Sequence, residues 1–179
     1  KGSLASKGIG TRLLVLSAGS IMNLLLPLLL FSIAFMIPHN VVNQTVVVDK
    51  VTLDSPASAA GIEAGDTILG INGKVINNVV DVHRYIHLNL GKKTRILVEH
   101  DDLTAEEFQV IPRWKPPPDE GAIGIELDIE AARASQTITR QNYPFWQAIP
   151  MGVGECIETF GIFKNEIMGW FVRGISPEL

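Results

Sequence analysis

The sequence has 179 residues, of which 46% are hydrophobic and 19% charged, with a formal net charge of −4. This length suits one ordinary domain with appendages, and the composition is too apolar for a disordered chain. The lack of a basic excess argues against nucleic acid as a partner, and a single cysteine excludes an internal disulfide.

The first predicted element is a transmembrane helix at 13–37. The preceding residues 1–12 contain three basic side chains and no acid, and the next 25 residues carry no charge. A helix of that length extends about 37 Å, enough to cross the hydrocarbon layer, and it exceeds the apolar region of a signal peptide. Because the positive charges lie only at its N-terminal side, we expect 1–12 to be cytoplasmic and the following domain to lie outside.

Small and polar residues interrupt this apolar helix. Ala18, Gly19 and Ser20 would allow a neighbouring helix to approach closely, and Asn23 is the kind of residue that hydrogen-bonds to a partner helix. Pro27 predicts a kink. An ordinary anchor with a tolerated asparagine is the alternative.

A strand that includes Val46, Val48 and Val51, a short helix at 57–60 and a second strand at 67–71 are predicted. Pro56 suits the first turn of the helix and Gly61 its end, while Asn72-Gly73 is typical of a hairpin turn. The pattern D-S-P-A-x-x-A-G-I-x-x-G-D-x-I-L-x-I-N-G at 54–73 resembles the core signature of bacterial-type PDZ domains. Such domains bind extended peptides, often C-termini, as an added strand at a sheet edge.

The resemblance extends the predicted PDZ domain over 41–131. Further elements are predicted as a helix near 79–90, strands at 94–99 and 108–111, and a proline-rich connector at 112–120. The resemblance implies a peptide site made by a glycine-rich strand and one helix face, namely Gly121, Ala122, Ile123, Gly124, Ile125, Val82 and Ile86. Backbone amides of the glycine-rich stretch would receive a peptide carboxylate. A plain glycine-rich hairpin strand is the alternative, and Gly124→Asp is expected to weaken binding without unfolding the domain.

A polar linker is predicted at 132–143, and an amphipathic helix at 144–173. Its apolar positions recur at helical spacing, at Val153, Ile157, Phe160, Phe163, Ile167 and Trp170. With charges this frequent, we expect an interfacial helix or one packed against other membrane helices. A soluble amphipathic core helix is the alternative, and Cys156 is expected to be a packing residue.

The chain offers no recognisable catalytic constellation. His83 and His87 have the spacing of zinc-binding helix residues, but Arg84 stands where the glutamate base would be. Glu155 and Glu158 fit a solvated helix stripe. We therefore predict no catalytic and no metal-binding residues in this sequence.

The order of helix, PDZ domain and aromatic amphipathic helix resembles the middle of a site-2 protease, with Ser20 where that family usually has proline in an A-G-P-x-x-N stretch. The resemblance implies an α+β protein that anchors and selects substrates for an intramembrane zinc metalloprotease acting in regulated intramembrane proteolysis. The H-E-x-x-H helix, a G-P-x-G-I stretch and a further aspartate ligand would fall outside residues 1–179, so we expect this sequence to be a fragment whose zinc lies elsewhere in the intact protein.

The implied partners are transmembrane substrates, extracytoplasmic peptide C-termini, the lipid bilayer and the remaining catalytic helices of the same protein. The implied location is a bacterial-type plasma membrane, with the PDZ domain on the extracytoplasmic side. Two alternatives remain: a membrane-tethered PDZ adaptor without catalysis, and the PDZ part of a tethered serine protease of the trypsin-like type. Only about ten residues separate the predicted helix from the PDZ signature, which disfavours the latter.

Overall fold

A computed structural model describes residues 8–175 of the chain, with side chains for 8–172. Its elements are the helices α1 (Ile9–Met36), α2 (Pro56–Ala60), α3 (Val79–Leu88), α4 (Ile129–Ala134) and α5 (Phe145–Ile175), and the strands β1 (His39–Asn43), β2 (Val48–Val51), β3 (Thr67–Ile71), β4 (Lys74–Val75), β5 (Thr94–Glu99), β6 (Ala105–Val110), β7 (Ile125–Leu127) and β8 (Thr137–Gln141). The described residues divide into two compact units, 8–39 with 141–159 and 40–140 with 160–175.

The first unit contains α1 and the first half of α5. The predicted long apolar helix is confirmed, and α1 begins four residues before the uncharged stretch because the Arg12 N–H bonds to the Gly8 carbonyl. Small residues of α5 face α1: a Cβ at Gly152 would lie 2.5 Å from the Ser32 hydroxyl oxygen. Ala148 and Cys156, one turn to either side, are buried, as expected for Cys156.

The second unit is built on a four-stranded antiparallel sheet of order β4-β3-β5-β6. Alternate residues of β5 point into the core, so Thr94, Ile96 and Val98 are fully buried while their neighbours are not. Two further pairs, β2 with β7 and β1 with β8, complete the strands. The α+β class predicted from the sequence is confirmed.

The turns of the PDZ signature form as their sequences predict. The Ser55 hydroxyl accepts the Ser58 N–H at the start of α2, and Gly61 ends that helix with φ of 101°. Asn72 and Gly73 have φ of 50° and 76°, both left-handed, as a two-residue hairpin turn between β3 and β4 requires.

A buried carboxylate holds the turn before β3. Asp66 is 3% exposed; one of its oxygens accepts the Glu63 N–H at 2.9 Å and the other lies 2.6 Å from His100 Nδ1. The hydrogen bond to Asp66 raises the pKa of His100, reinforced by the charges of Asp66, Asp102 and Glu106 against the effect of desolvation.

The segment 132–143, predicted as a linker, contains the end of α4 and the strand β8. The strand pairs with β1, where the Asn43 side-chain amide donates to the Thr139 hydroxyl at 3.0 Å. Its side chains are mostly exposed, so its composition is polar although its Thr-Ile-Thr run favours a strand. From the sequence alone, a polar strand at a sheet edge is therefore hard to distinguish from a linker.

Candidate peptide-binding groove

A cavity of about 330 Å³ lies between α3 and β7 in the second unit. It is lined by two groups of residues: Val82, His83 and Ile86 from α3, and Gly121, Ala122, Ile123, Ile125, Glu126, Leu127 and Ile129 from the segment that contains β7. Of the seven residues predicted for the peptide site, six line this cavity. Gly124 is not among the lining residues, although it lies in the same loop.

Capping fixes the start of α3 and so the helix wall of the groove. The Asn78 side chain accepts the Asp81 N–H at 3.0 Å, and the Asp81 carboxylate accepts the Asn77 N–H at 2.9 Å. Val82 and Ile86, four residues apart, are 3% and 5% exposed. The helix wall is therefore continuous with the hydrophobic core.

The strand wall presents an open edge. Thr52 N–H bonds to the Gly124 carbonyl and Asp128 N–H bonds to the Val47 carbonyl, flanking the pairs Val51↔Ile125 and Val48↔Leu127. In an antiparallel ladder, residues flanked in this way direct their own N–H and C=O groups away from the partner strand. Among the described residues β7 pairs only with β2, so Ile125 and Leu127 offer backbone donors and acceptors at the edge that borders the groove.

The loop before β7 is held by its carbonyl groups. The carbonyls of Ala122, Ile123 and Gly124 accept the N–H groups of Arg113, Ala57 and Thr52, at 2.8, 3.0 and 2.9 Å respectively. In a trans peptide the next N–H points the opposite way, and no cis peptide occurs among the described residues. The amides of Ile123 and Ile125 are thus directed away from the groups that anchor the loop.

The two glycines of this loop have different roles. Gly124 has φ of 75°, and a Cβ there would overlap the Cβ of Ser55, so the fold itself requires glycine. A Cβ at Gly121 would make an ordinary contact, 3.5 Å from the Ile125 carbonyl oxygen. The expectation that Gly124→Asp would leave the fold intact conflicts with this geometry, because the sequence does not show that Ser55 lies against the loop.

Arg113 was missed by sequence reasoning and fastens the same loop. Its Nη2 atom lies 2.7 Å from a Glu120 carboxylate oxygen and 3.3 Å from the Gly121 carbonyl oxygen. Its Nε atom is buried and donates to no described residue. The signal in the sequence was a basic residue within the proline-rich connector, which composition alone does not distinguish from a surface charge.

His83 was considered as a zinc ligand and instead lies, exposed, at the rim of the groove. His87, one turn further, lies 3.6 Å from the Glu166 carboxylate of α5. Within the described part of the chain, no group of three or more His, Cys, Asp or Glu side chains could hold a metal ion. These residues therefore do not fit a zinc site.

Comparison with known proteins confirms the PDZ domain that the sequence predicted. Residues 47–100 match the family model described as PDZ domain. A Clostridium acetobutylicum protein provisionally named a zinc metalloprotease is 32% identical over 75% of this chain and 41% of its own length. A similarly named Agrobacterium fabrum protein is 27% identical over 93% of this chain and 46% of its own length, and zinc metalloprotease RasP of Geobacillus kaustophilus is 26% identical over 86% and 37%.

The chain thus spans less than half the length of these curated relatives. Among solved structures, it is similar to the PDZ domain of an SdrC-like protein from Listeria monocytogenes, with 27% identity over 49% of this chain and 90% of that one. The TM-score is 0.42, and the PDZ domain is identified by the family model.

Proposed function

Since the chain carries a PDZ domain and is related over most of its length to bacterial zinc metalloproteases of the site-2 type, as its sequence predicted, we propose that it is the substrate-recognition and membrane-anchoring portion of such an enzyme. The intact protein would cut transmembrane substrates within the bilayer, in regulated intramembrane proteolysis. Its zinc and catalytic helices would lie outside these 179 residues, so no catalytic step is assigned to them.

The observation that carries the recognition role is the groove between α3 and the open edge of β7. An extended peptide can add a strand to such an edge, and its alternate side chains then enter apolar pockets. The walls supply those pockets through Val82, Ile86 and Leu127. The amides of Ile123 and Ile125 would receive the terminal carboxylate, so the ligands would be extracytoplasmic peptide C-termini, including those of trimmed substrates.

The anchoring role is supported by α1. It has 28 residues with a mean hydropathy of 2.2 in its most apolar window, sufficient by length and composition to cross a membrane. Its aliphatic side chains are widely exposed, for example Leu14 at 67% and Leu16 at 77%. Asn23 is also exposed, as expected if further helices of the same protein pack against it. The excess of basic residues before α1 supports an orientation with the PDZ domain on the extracytoplasmic side of the proposed bacterial-type plasma membrane.

Peptide binding tests this proposal on the full chain in detergent micelles. The probe is a fluorescein-labelled decapeptide that ends in valine with a free carboxylate, and its C-terminally amidated copy is the control. Because the amide loses the anionic contact, we expect it to bind at least about tenfold more weakly. Equal affinity of the two peptides would remove the carboxylate site, and no binding of either would remove the proposed peptide ligand.

A groove variant and a matched variant outside the groove complete the test. Ile86→Ala removes part of the helix wall, whereas Ile62→Ala truncates a similarly buried isoleucine that does not line the cavity. We expect only Ile86→Ala to weaken binding of the free-carboxylate peptide. The same loss in both variants would assign the effect to stability rather than to the groove.

A further inference from the structure

The second half of α5 contacts the groove helix at its carboxyl end. Asn165 is 4% exposed, and its side-chain amide donates to the His87 carbonyl at 2.7 Å. A Cβ added at Gly161, one turn earlier, would lie 2.9 Å from Leu88 Cδ2, so only glycine allows this approach without displacing the leucine. These contacts lie within one compact unit.

Asn165 contributes to the capping of α3 at its carboxyl end. The last carbonyls of a helix have no partner within it and must bond elsewhere. Two of those in α3 are satisfied locally, since the Asn89 side chain donates to the Tyr85 carbonyl and the Asn89 N–H to the Ile86 carbonyl. The next carbonyl, that of His87, accepts from α5 instead. A buried amide that lost this bond would remain desolvated and unpaired, so the contact and the burial of Asn165 depend on each other.

The capped end of α3 is also a wall of the groove. Ile86 lines the cavity and directly precedes His87, whose carbonyl Asn165 holds. The exposed pair of His87 with Glu166, at 3.6 Å, adds little because both side chains are solvated. The contact between α5 and α3 is therefore stabilised mainly by the burial of Asn165 and by its hydrogen bond to the His87 carbonyl.

From this arrangement we infer that the second half of α5 is a built-in support of the groove helix, and that the docking of α5 on α3 and the occupation of the groove by a peptide are linked. The link rests on the proposed peptide-binding function, whereas the support of α3 does not. With α5 docked, the Ile86 wall is held in its binding arrangement; with α5 displaced, the end of α3 frays and the groove binds peptide more weakly. By reciprocity, a bound peptide strengthens the docking of α5.

A pair of glycine variants tests the support. Gly161→Leu places a side chain against Leu88, while Gly169→Leu, on the same helix, meets nothing within 4 Å. Both substitutions raise helix propensity equally, so they differ only in the contact with α3. Hydrogen exchange of the full chain in micelles should show amides near the end of α3 exchanging at least about tenfold faster in Gly161→Leu, and at the parental rate in Gly169→Leu. Parental exchange in both variants would overturn the inference.

Two checks keep this result interpretable. Exchange in β5 should stay at the parental rate in Gly161→Leu, which shows that the domain is still folded. If β5 also loses protection, Asn165→Leu replaces that variant: it keeps the branched shape of the side chain and removes the donor, and it should accelerate exchange of the same α3 amides. No acceleration in Asn165→Leu would also overturn the inference.

The link to the groove is then measured with the free-carboxylate decapeptide. We expect its affinity to fall about three- to tenfold in Gly161→Leu and to stay unchanged in Gly169→Leu. Equal affinities alongside faster α3 exchange would refute the link and leave the support. If the parental chain does not bind the peptide, the proposed function fails, while the exchange result still decides whether α5 supports α3.

Discussion

The helix α1 and the central sheet are both rich in aliphatic residues, yet they expose them in opposite ways. Ile71 and Ile96 in the sheet are 0% exposed, whereas Leu14 and Leu16 of α1 are 67% and 77% exposed. In β5, buried residues alternate with more exposed ones, so one face of the sheet meets the core and the other meets water. In α1 they occur all round, so no face suits water. The aliphatic side chains of the sheet are buried within the domain, whereas those of α1 require an apolar solvent or partner helices to cover them.

The largest expected effect separates these regions directly. Ile96→Ala should lower the free energy of unfolding by about 2–5 kcal/mol, since it removes a fully buried side chain. Leu16→Ala should change it by less than about 0.5 kcal/mol, because that side chain leaves no cavity. Urea unfolding in micelles, followed by circular dichroism, measures both. Equal losses would mean that α1 and the sheet share one core.

A second comparison sharpens the difference between glycines within the domain. Gly124→Ala should lower the free energy of unfolding by about 2 kcal/mol, since it combines a left-handed residue with an overlap on Ser55. Gly121→Ala should have less than about 0.5 kcal/mol of effect, because its Cβ would make only an ordinary contact. The same urea unfolding experiment measures the change in both variants. A tolerated Gly124→Ala would show that the loop does not lie against Ser55.

In the first unit, a glycine of α5 also determines how closely that helix packs on α1. Gly152→Leu should separate the helices, because its side chain would meet Ser32, whereas Gly154→Leu has open space. The only cysteine, Cys156, is buried one turn away and reports the change. Maleimide labelling in micelles should be about tenfold faster in Gly152→Leu and unchanged in Gly154→Leu. Equal labelling of the two variants would contradict the packing at Gly152.

The smallest expected effect is a pH dependence of the stability of the second unit. Asp66 holds the pKa of His100 above its usual value, so protonated His100 stabilises the folded state. That stabilisation is complete below the unfolded pKa of about 6.5 and is lost as pH rises through the higher folded pKa. The chain should therefore unfold at a lower temperature at pH 8 than at pH 6, and His100→Gln should reduce that difference. An unchanged difference in the variant would assign it to other groups.

Local sequence was sufficient for the elements whose determinants are neighbours in the chain. Pro56 and Gly61 bound α2, Asn72-Gly73 turns β3 into β4, and the predicted strands at 67–71 and 94–99 match β3 and β5. The groove residues were predicted together because the family signature orders them. Their role in peptide binding stays a prediction.

The features that the sequence did not predict depend on contacts between residues that are distant in the chain. Ser55 constrains Gly124, and His87 accepts from Asn165, at sequence separations that no local pattern reports. The predicted apolar face of α5 is mostly exposed, whereas its close contacts use Gly152 and Gly161. From the sequence alone, a glycine in a helix predicts lower helix stability. Its role in close packing becomes apparent only once the neighbouring side chain is known.

The shortness of β7 determines how long a peptide could stay. Among the described residues of β7, only Ile125 and Leu127 direct backbone groups outward, so with two groups each this strand offers four hydrogen-bonding positions to an added strand. So few contacts favour a dissociation constant of about micromolar or weaker, and at ordinary association rates this means a residence time of about a second or less. If the groove binds peptides as proposed, it would sample many chain ends in succession and retain each one only briefly.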